Sequence, residues 1–334
     1  MVSKYKIFNS IGLMSGTSLD GIDATIVKTD GVSFLEYGPA ITLEYNEKFR
    51  NSLQSIMGFN SKESKKVLEI ERELTNLHIE AVEMLLRCNR RKIEQIDIIG
   101  FHGQTINHKP NEKFTLQIGD ANLLANSLKI DVVSDMRIDD LNAGGQGAPL
   151  VPVYHHACFK NYPYPIAILN IGGVSNVTWI GLDKIIAFDT GPGNSIIDDW
   201  LQYKNGIKFD EGGKIANRGK SYLPIVKKSL TDNFFKIFPP KSLDRNDFNY
   251  HLIPEGLSIE DGAATAVDII VNSIKLSKLY FPKPPLMWVV SGGGRKNNAI
   301  LSGLKELLDS EVKVIDDLGF RGDYLEAEAF AYLA

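Results

Sequence analysis

The chain opens on a short apolar run and changes its hydrophobic period several times. Residues 7–14 read as a β-strand. Next, Ile22, Ala24 and Ile26 alternate with Asp23 and Thr25, the period of two expected of a half-buried strand. Residues 32–37 supply a third strand, and the short loops predict an antiparallel start. Helical spacing then takes over. Leu68, Glu71, Leu74, His78, Ala81, Val82, Leu85 and Leu86 place a long amphipathic helix over 67–86. IDIIGF (96–101) predicts a buried strand that ends in Gly-His-Gly. ANLLANSL (121–128) predicts a helix behind LQIGD, and IDVVSDM (130–136) another strand. APLVPVYHHACF (148–159) reads as a helix in which Pro152 is tolerable only in the first turn.

The same order then starts again. IAILNIGG (166–173), SNVTWIG (175–181) and KIIAFDTGPG (184–193) predict three strands, followed by a helix over 194–203 with Asn194 as its N-cap. MWVVSGGG (287–294) predicts a buried strand, 297–308 a helix, VKVID (312–316) a strand and 323–334 a closing helix. The order βββ, helix, β, helix, β, helix therefore occurs twice. The copies do not align residue by residue. The second is longer by a Lys-, Asn- and Pro-rich stretch over 204–262. The expected division is 1–148 plus 319–334 for the first domain and 149–318 for the second.

Length and charge narrow the function classes. A chain of 334 residues with 43% hydrophobic and 23% charged content is ordinary globular material, enough for one large or two medium domains. A net charge of −4 with no basic stripe argues against a nucleic-acid partner. Cys88 and Cys158, the two cysteines, lack metal-ligand spacing and read as reduced thiols. The first 13 residues contain no apolar signal-peptide core, and no run approaches the roughly 20 apolar residues of a membrane helix. A soluble cytoplasmic protein with no membrane partner is expected.

Four strand ends are rich in glycine: 12–21, 172–176, 189–194 and 291–294. Any one could be an ordinary tight turn. Four of them, split between two halves, suit backbone nests for a polyphosphate. The run 213–221 resembles a Walker loop, but has five residues between its glycines and no strand before it. No Gly-x-Gly-x-x-Gly opens a helix after a strand, which argues against a dinucleotide fold. Gly16, Thr17, Ser18 and Gly21 can donate to phosphate. Asp20 and Asp23 cannot, and make sense there if Mg²⁺ or another cation lies between them and the phosphate.

Asp189 follows apolar Ile185, Ile186 and Phe188 and precedes glycine turns, a place for acid–base work or simply for capping the turn. His102, Gln104 and Thr105 cluster at one strand end. Asp120, Arg137, Asp139, Asp140 and Gln146 follow. Such directional donors and acceptors suit a polyhydroxylated or acidic small molecule. They lie in the first half, which suggests that the nucleotide lies mostly on the second half and the other substrate mostly on the first. His155, His156 and Cys158 do not suit zinc, because neighbours on a helix point about 100° apart. By pattern alone Glu326 is a solvated acid.

Taken in order, GLMSGTSLDGIDA, GFHGQTINHKP, LQIGDANLLA, GGQGAPLVPVYHHA, LNIGGVSNVTWI, FDTGPGNSIIDDW, KSLDRNDFN and SGGGRKN closely resemble the 1,6-anhydro-N-acetylmuramic acid kinase family over nearly the whole chain. That family belongs to the superfamily of acetate and sugar kinases, Hsp70 and actin. The resemblance implies an α/β protein with the actin-like ATPase fold, two ribonuclease H-like domains closing on ATP and substrate across a cleft. It implies a first phosphate loop of Gly16, Thr17, Ser18, Leu19, Asp20, Gly21, Ile22 and Asp23, with Asp20 or Asp23 near Mg²⁺. Gly172 and Gly173, with Gly191, Gly193 and Asn194, would form the second loop, and Gly292, Gly293 and Gly294 would lie by the adenosine. Asp189 matches the general base and Glu326 a second acid near the sugar. His102, Gln104, Thr105, Asp120, Arg137, Asp140 and Gln146 would line the sugar pocket.

The implied reaction opens the 1,6-anhydro bridge with water and phosphorylates O6 from ATP, in cell-wall recycling. Ile138 and Asp139 stand where relatives carry more basic residues, which would shift contacts to the lactyl carboxylate. Relatives also extend past the last helix, so lighter packing across the cleft is expected here. A kinase of another sugar, a non-catalytic actin-like ATP-binding protein and a metal-dependent hydrolase are the rival readings. A homodimer is left open.

Overall fold

The computed structural model describes residues 5–16, 18–32, 35–109, 112–243, 245 and 247–334. In chain order the strands are β1 (Phe8–Ser15), β2 (Gly21–Thr29), β3 (Leu35–Glu44), β4 (Ile98–Lys109), β5 (Phe114–Ile118), β6 (Asp131–Val133), β7 (Ile166–Ile171), β8 (Val174–Ile180), β9 (Ile185–Pro192), β10 (Met287–Ser291) and β11 (Glu311–Val314). The α-helices are α1 (Glu47–Gln54), α2 (Lys65–Cys88), α3 (Ala121–Leu128), α4 (Met136–Asn142), α5 (Pro152–Phe159), α6 (Asn194–Asn205), α7 (Leu223–Ser229), α8 (Ile259–Ser277), α9 (Asn298–Leu307) and α10 (Leu325–Leu333). The chain divides into two compact units, Met1–Cys158 with Tyr324–Ala334, and Phe159–Asp323.

In the first unit the sheet order is β3-β2-β1-β4-β5, and β6 pairs with β4. β1, β2 and β3 pair antiparallel, whereas β4 runs parallel to β1 and β6 parallel to β4. In the second unit the order is β11-β10-β7-β8-β9. There β7, β8 and β9 are antiparallel and β10 and β11 parallel. Leaving out the β5 hairpin, both sheets have the same arrangement: an antiparallel meander of three strands, then two parallel strands added beside the first. This is the ribonuclease H-like topology, doubled, and it places the protein in the actin-like ATPase fold class.

Each unit has its own core. In the first, Ile11, Leu13, Ile22 and Ile26 of the meander pack with Leu74, Ala81 and Leu85 of α2. Ser64 caps α2, its side chain accepting from Val67 N at 3.2 Å. The buried face of α2 begins with Val67 and Ile70. Leu68, expected on that face, is 50% exposed. α10 returns the end of the chain to this unit. Tyr154 of α5 donates from its hydroxyl to Glu328 Oε2 of α10 at 2.7 Å, which explains why the first unit keeps the chain through Cys158 and not only to 148. α10 lies so close to the sheet that a Cβ on Gly12 would sit 1.8 Å from Ala327 O, and one on Gly100 2.0 Å from Phe330 O. Gly12 and Gly100 are direct partners in the β1–β4 ladder.

In the second unit Leu169, Ile171, Phe188, Trp200, Ile270 and Trp288 are among the core residues. α8 crosses α6 where Gly262 leaves room for the Trp200 indole, whose Nε1 donates to Ile259 O at 3.0 Å. The hydrophobic pattern misses α8 because its positions 262–266 are nearly all small residues. The cap was nevertheless readable, since Ser258 accepts from Asp261 N at 3.0 Å.

Several element limits differ from expectation. β3 starts at Leu35, not at 32. Asp30 Oδ1 accepts from Val32 N in a turn that leaves Val32 58% exposed, and residues 33 and 34 lie outside the described set. β6 ends at Val133, because Asp135 adopts a left-handed φ of 60° and α4 begins at Met136. LQIGD, given no element by the sequence pattern, opens in a strand: Leu116–Ile118 belong to β5, which pairs antiparallel with the outer half of β4. α5 begins at Pro152, the first-turn place that a proline tolerates.

Candidate active site

The first glycine loop joins β1 to β2 in the first unit. Thr17 lies outside the described residues. Leu19 N donates to Gly16 O at 3.1 Å to close the turn. Leu19 itself is buried at a left-handed φ of 57°, an uncommon conformation for a side chain of that bulk. Two contacts hold it there. Arg50 Nε donates to Leu19 O at 2.9 Å, and Tyr45 N donates to Asp20 O at 2.9 Å. Ser18 and Asp20 are exposed at the tip. Asp20 lies 3.9 Å from the Arg50 guanidinium, and Asp23 accepts from Thr42 Oγ1 at 2.6 Å. The loop is braced from below by Gln104, whose Nε2 donates to Gly16 O at 3.1 Å. Gln104 is fully buried, and its Oε1 has no partner among the described residues.

His102, Arg137, Asp140 and Glu326 form one electrostatic group in the same unit. Arg137 Nε donates to His102 Nε2 at 2.7 Å, and its Nη1 donates to Gly147 O at 2.8 Å. His102 Nδ1 pairs with Gly103 O at 2.7 Å. A carbonyl on one side and an N–H donor on the other fix the neutral imidazole with its proton on Nδ1. Burial and the Arg137 charge both hold His102 well below the usual histidine range. His102 therefore aims Arg137 and has no proton to give a substrate. Asp140 Oδ2 accepts from Gly147 N at 2.7 Å and closes the 140–147 loop. Arg137 is lowered by burial, against the opposing pull of Glu326 and Asp140. Glu326 is raised by burial, against the pull of Arg137. Among the described residues no hydrogen bond engages Arg137 Nη2, so one fork of the guanidinium remains for an anion.

The other residues expected in the sugar pocket have different partners. Thr105 Oγ1 accepts from Gln117 Nε2 at 3.1 Å. Asp120 is an exposed N-cap that accepts from Leu123 N at 2.9 Å. Gln146 is half-buried next to Gly147.

In the second unit the β7–β8 turn and the start of α6 interlock. Gly172 O accepts from Asn194 N at 2.7 Å, and Gly173 O accepts from Gly193 N at 2.9 Å and from Ser195 Oγ at 2.7 Å. Asn194 is not the N-cap. Gly193 holds that position, and Asn194 is the first helical residue, with its Nδ2 donating to Ile171 O at 3.2 Å. Gly193 takes the cap because a Cβ there would lie 2.2 Å from Gly172 O. Asn194 instead fastens the turn beside Gly293, whose ideal Cβ lies 3.3 Å from its Nδ2. Three of the glycine-rich strand ends of this unit, at β7, β9 and β10, thus meet around one asparagine.

Asp189 is on β9, four positions before Gly193. Its Oδ2 accepts from Leu243 N at 2.8 Å, and its own N–H donates to Lys241 O at 3.1 Å. Burial pushes the carboxyl up to about 6, with the Leu243 N–H and the Lys241 charge opposing. A carboxylate poised there is ionised at neutral pH yet basic enough to accept a proton.

A profile of the family described as anhydro-N-acetylmuramic acid kinase matches residues 8–334. A relative of that name from Paramagnetospirillum magneticum is 43% identical over 329 residues, covering 97% of this chain and 91% of its own. This chain belongs to the anhydro-N-acetylmuramic acid kinase family. A second relative of the same name, from Zymomonas mobilis, is 43% identical over 335 residues, with 97% and 92% covered. Among solved structures, the activator of the 2-hydroxyisocaproyl-CoA dehydratase from Clostridium difficile with bound ADPNP is similar at a TM-score of 0.50. It covers 98% of this chain and 94% of its own at 14% identity, a likeness of fold alone.

For a member of this kinase family, sequence reasoning overlooked two groups. The Gly147 carbonyl orients Arg137, and a backbone acceptor carries no residue-type signal. Lys241 lies against Asp189; it opens the KSLDRNDFN run, which carries the resemblance without an assigned role. No group of three His, Cys, Asp or Glu among the described residues could hold a metal ion. A Mg²⁺ that arrives with nucleotide phosphates would need only one or two protein carboxylates, and Asp20 is exposed at the loop tip. Asp20 stands on the first loop, and Asp23 follows it on β2.

Proposed function

We propose that the chain is an ATP-dependent kinase that opens the 1,6-anhydro bridge of 1,6-anhydro-N-acetylmuramic acid and phosphorylates O6, giving N-acetylmuramic acid 6-phosphate and ADP. The observation that carries the chemistry is Asp189, a half-buried carboxylate held by Leu243 N at 2.8 Å at the edge of interlocked glycine turns, and raised to about 6 by its loss of water. Asp189 takes a proton from water as the water oxygen bonds to C1, and the C1–O6 bond breaks. O6 attacks the γ-phosphorus and displaces ADP. Backbone N–H groups of the glycine loops stabilise the charge on the transferring group. Mg²⁺, when bound through Asp20 or Asp23, supplies charge neutralisation on the phosphates.

The free fork of Arg137, aimed by His102 and Gly147 O, recognises the carboxylate of the sugar acid. Glu326 is the second acid beside it. Gln104 and Asp140 hold loops, and the 43% identity to relatives named for this activity supports the substrate choice over another sugar. The test is to incubate the protein with the anhydro sugar, ATP and Mg²⁺ and measure product mass. The expected product has gained one water and one phosphoryl group. A product that gained only the phosphoryl group, or turnover with other sugars alone, would reject this reading.

A further inference from the structure

We propose that Lys241 is a positioning residue for Asp189, holding its carboxylate in place and favouring its charged form. The inference rests on the reading of Asp189 as the general base. Its ground is the surroundings of the Lys241 side chain. This lysine is only 8% exposed, where an ordinary lysine would extend its ammonium to water. Nζ lies 4.4 Å from the centroid of Phe234, 4.3 Å from that of Tyr280 and 5.7 Å from that of Phe188, and donates to Phe234 O at 3.2 Å. Tyr280 is itself fixed, its hydroxyl donating to Phe235 O. Among the described residues no carboxylate is within ion-pair distance. Three ring faces and one carbonyl shelter the charge instead. So enclosed, the ammonium is not available to a nucleotide phosphate.

The same residue grips the base through its backbone. Asp189 N donates to Lys241 O, and Asp189 Oδ2 accepts from Leu243 N, so residues 241–243 clamp Asp189 at two points. Phe188, one wall of the box, is the residue before Asp189. The ammonium thus fixes the strap to β9, and the strap fixes the carboxylate. Two titratable groups face Lys241: Asp189, which acts on its charge, and Tyr280, whose hydroxyl is engaged with Phe235 O. Burial lowers Lys241 to about 8, with Asp189 opposing. At pH 7 the pair is mainly carboxylate and ammonium. Removing the ammonium raises Asp189, so the base stays protonated to higher pH.

The experiment is the pH profile of kcat/KM from pH 5 to 9 with anhydro sugar and MgATP, for wild type, Lys241→Met, Lys241→Arg and Asp189→Asn. Lys241→Met keeps the apolar stem and drops the charge. Its acid limb should move up from about 6, with KM for ATP unchanged, and Lys241→Arg should bring the limb back. Below the limb, each pH unit of movement lowers the rate about tenfold. An unmoved limb in Lys241→Met overturns the proposal. Asp189→Asn separates the two readings. Wild-type turnover in that variant rejects Asp189 as the base, whereas an inactive Asp189→Asn with an unmoved limb in Lys241→Met rejects only the role of Lys241. A measurement independent of any Lys241 variant is the ¹³Cε titration of lysine in wild type and Asp189→Asn. One resonance should titrate near 8 in wild type and lower in the variant. The same midpoint in both would show that the two groups are not coupled, and would also overturn the proposal.

Discussion

Asp189→Asn should make the protein more stable and inactive at once. The folded protein holds the Asp189 carboxyl at about 6 against an ordinary 3.8, mainly by burial. A raised carboxyl binds its proton more tightly in the folded state, so stability falls as pH rises from about 4 to about 6 and stays lowered above that. The movement corresponds to about 3 kcal/mol against the ionised form. Asparagine removes the charge, and its Oδ1 can still accept from Leu243 N. Lys241 loses a partner in the exchange, so about 3 kcal/mol is a ceiling. For a unit the size of Phe159–Asp323, that ceiling corresponds to a rise in Tm of roughly 6–12 °C near pH 7.5. The assay is calorimetry of wild type and variant from pH 4 to 8. The gain should be largest above pH 6 and vanish near pH 4. No gain at pH 7.5, or an equal gain at every pH, would refute the burial argument.

Gly193→Ala and Gly173→Ala should fail differently. The first puts a Cβ 2.2 Å from Gly172 O and should cost about 1–3 kcal/mol of stability or more and lower Tm, whereas the second meets nothing closer than Ser195 Cβ at 3.8 Å and should keep its Tm but raise KM for ATP; equal melting points in calorimetry would contradict this. Arg137→Met should raise KM for the sugar about tenfold or more with KM for ATP unchanged, in line with loss of a charged hydrogen bond of about 1.5–3 kcal/mol. An unchanged sugar KM in steady-state kinetics would remove Arg137 from recognition. In the native protein a thiol reagent at pH 8 should label Cys88 and spare Cys158, because Cys88 is exposed while burial pushes Cys158 to about 12. Peptide mapping that finds both labelled at similar rates would contradict that environment.

Much of the scaffold was legible in the strands. The alternation at Ile22, Ala24 and Ile26 and the apolar runs at 166–171 and 287–290 survive as β2, β7 and β10, because strands buried against a helix layer keep a simple pattern. The pairing order was not legible, since β1 joins β4 across more than 80 residues and nothing local specifies that neighbour. Site residues were found as types but not as partners. His102 and Arg137 were both singled out as substrate contacts, yet the 2.7 Å bond between them makes one the support of the other. Asn194 was read as a cap because a polar residue before an apolar run signals one, but the close approach of Gly172 O gave that place to Gly193. Lys241 stands within KSLDRNDFN, but its burial was not legible because it depends on rings from β9, from 234 and from 280, three separate stretches of chain.

The glycines show which parts of the site answer to the protein and which to something outside it. At Gly12, Gly100 and Gly193 a Cβ would run into backbone oxygens at 1.8–2.2 Å, so the fold alone requires glycine there. Gly16, Gly172 and Gly173 are different. None has a left-handed φ, and the nearest atom to an added Cβ is at 3.7, 3.5 and 3.8 Å, ordinary van der Waals contact. The folded chain would accept alanine at all three. A residue that neither conformation nor packing demands, repeated on the turn after β1 of one unit and the turn after β7 of the other, is what the proposed function requires of a turn whose backbone a phosphate must reach. The two turns occupy the same place in the doubled topology, after the first strand of each meander. The internal symmetry of the fold therefore accounts for two matching glycine turns in one chain, without any residue-by-residue repeat, as the proposed grip on a nucleotide's phosphates requires.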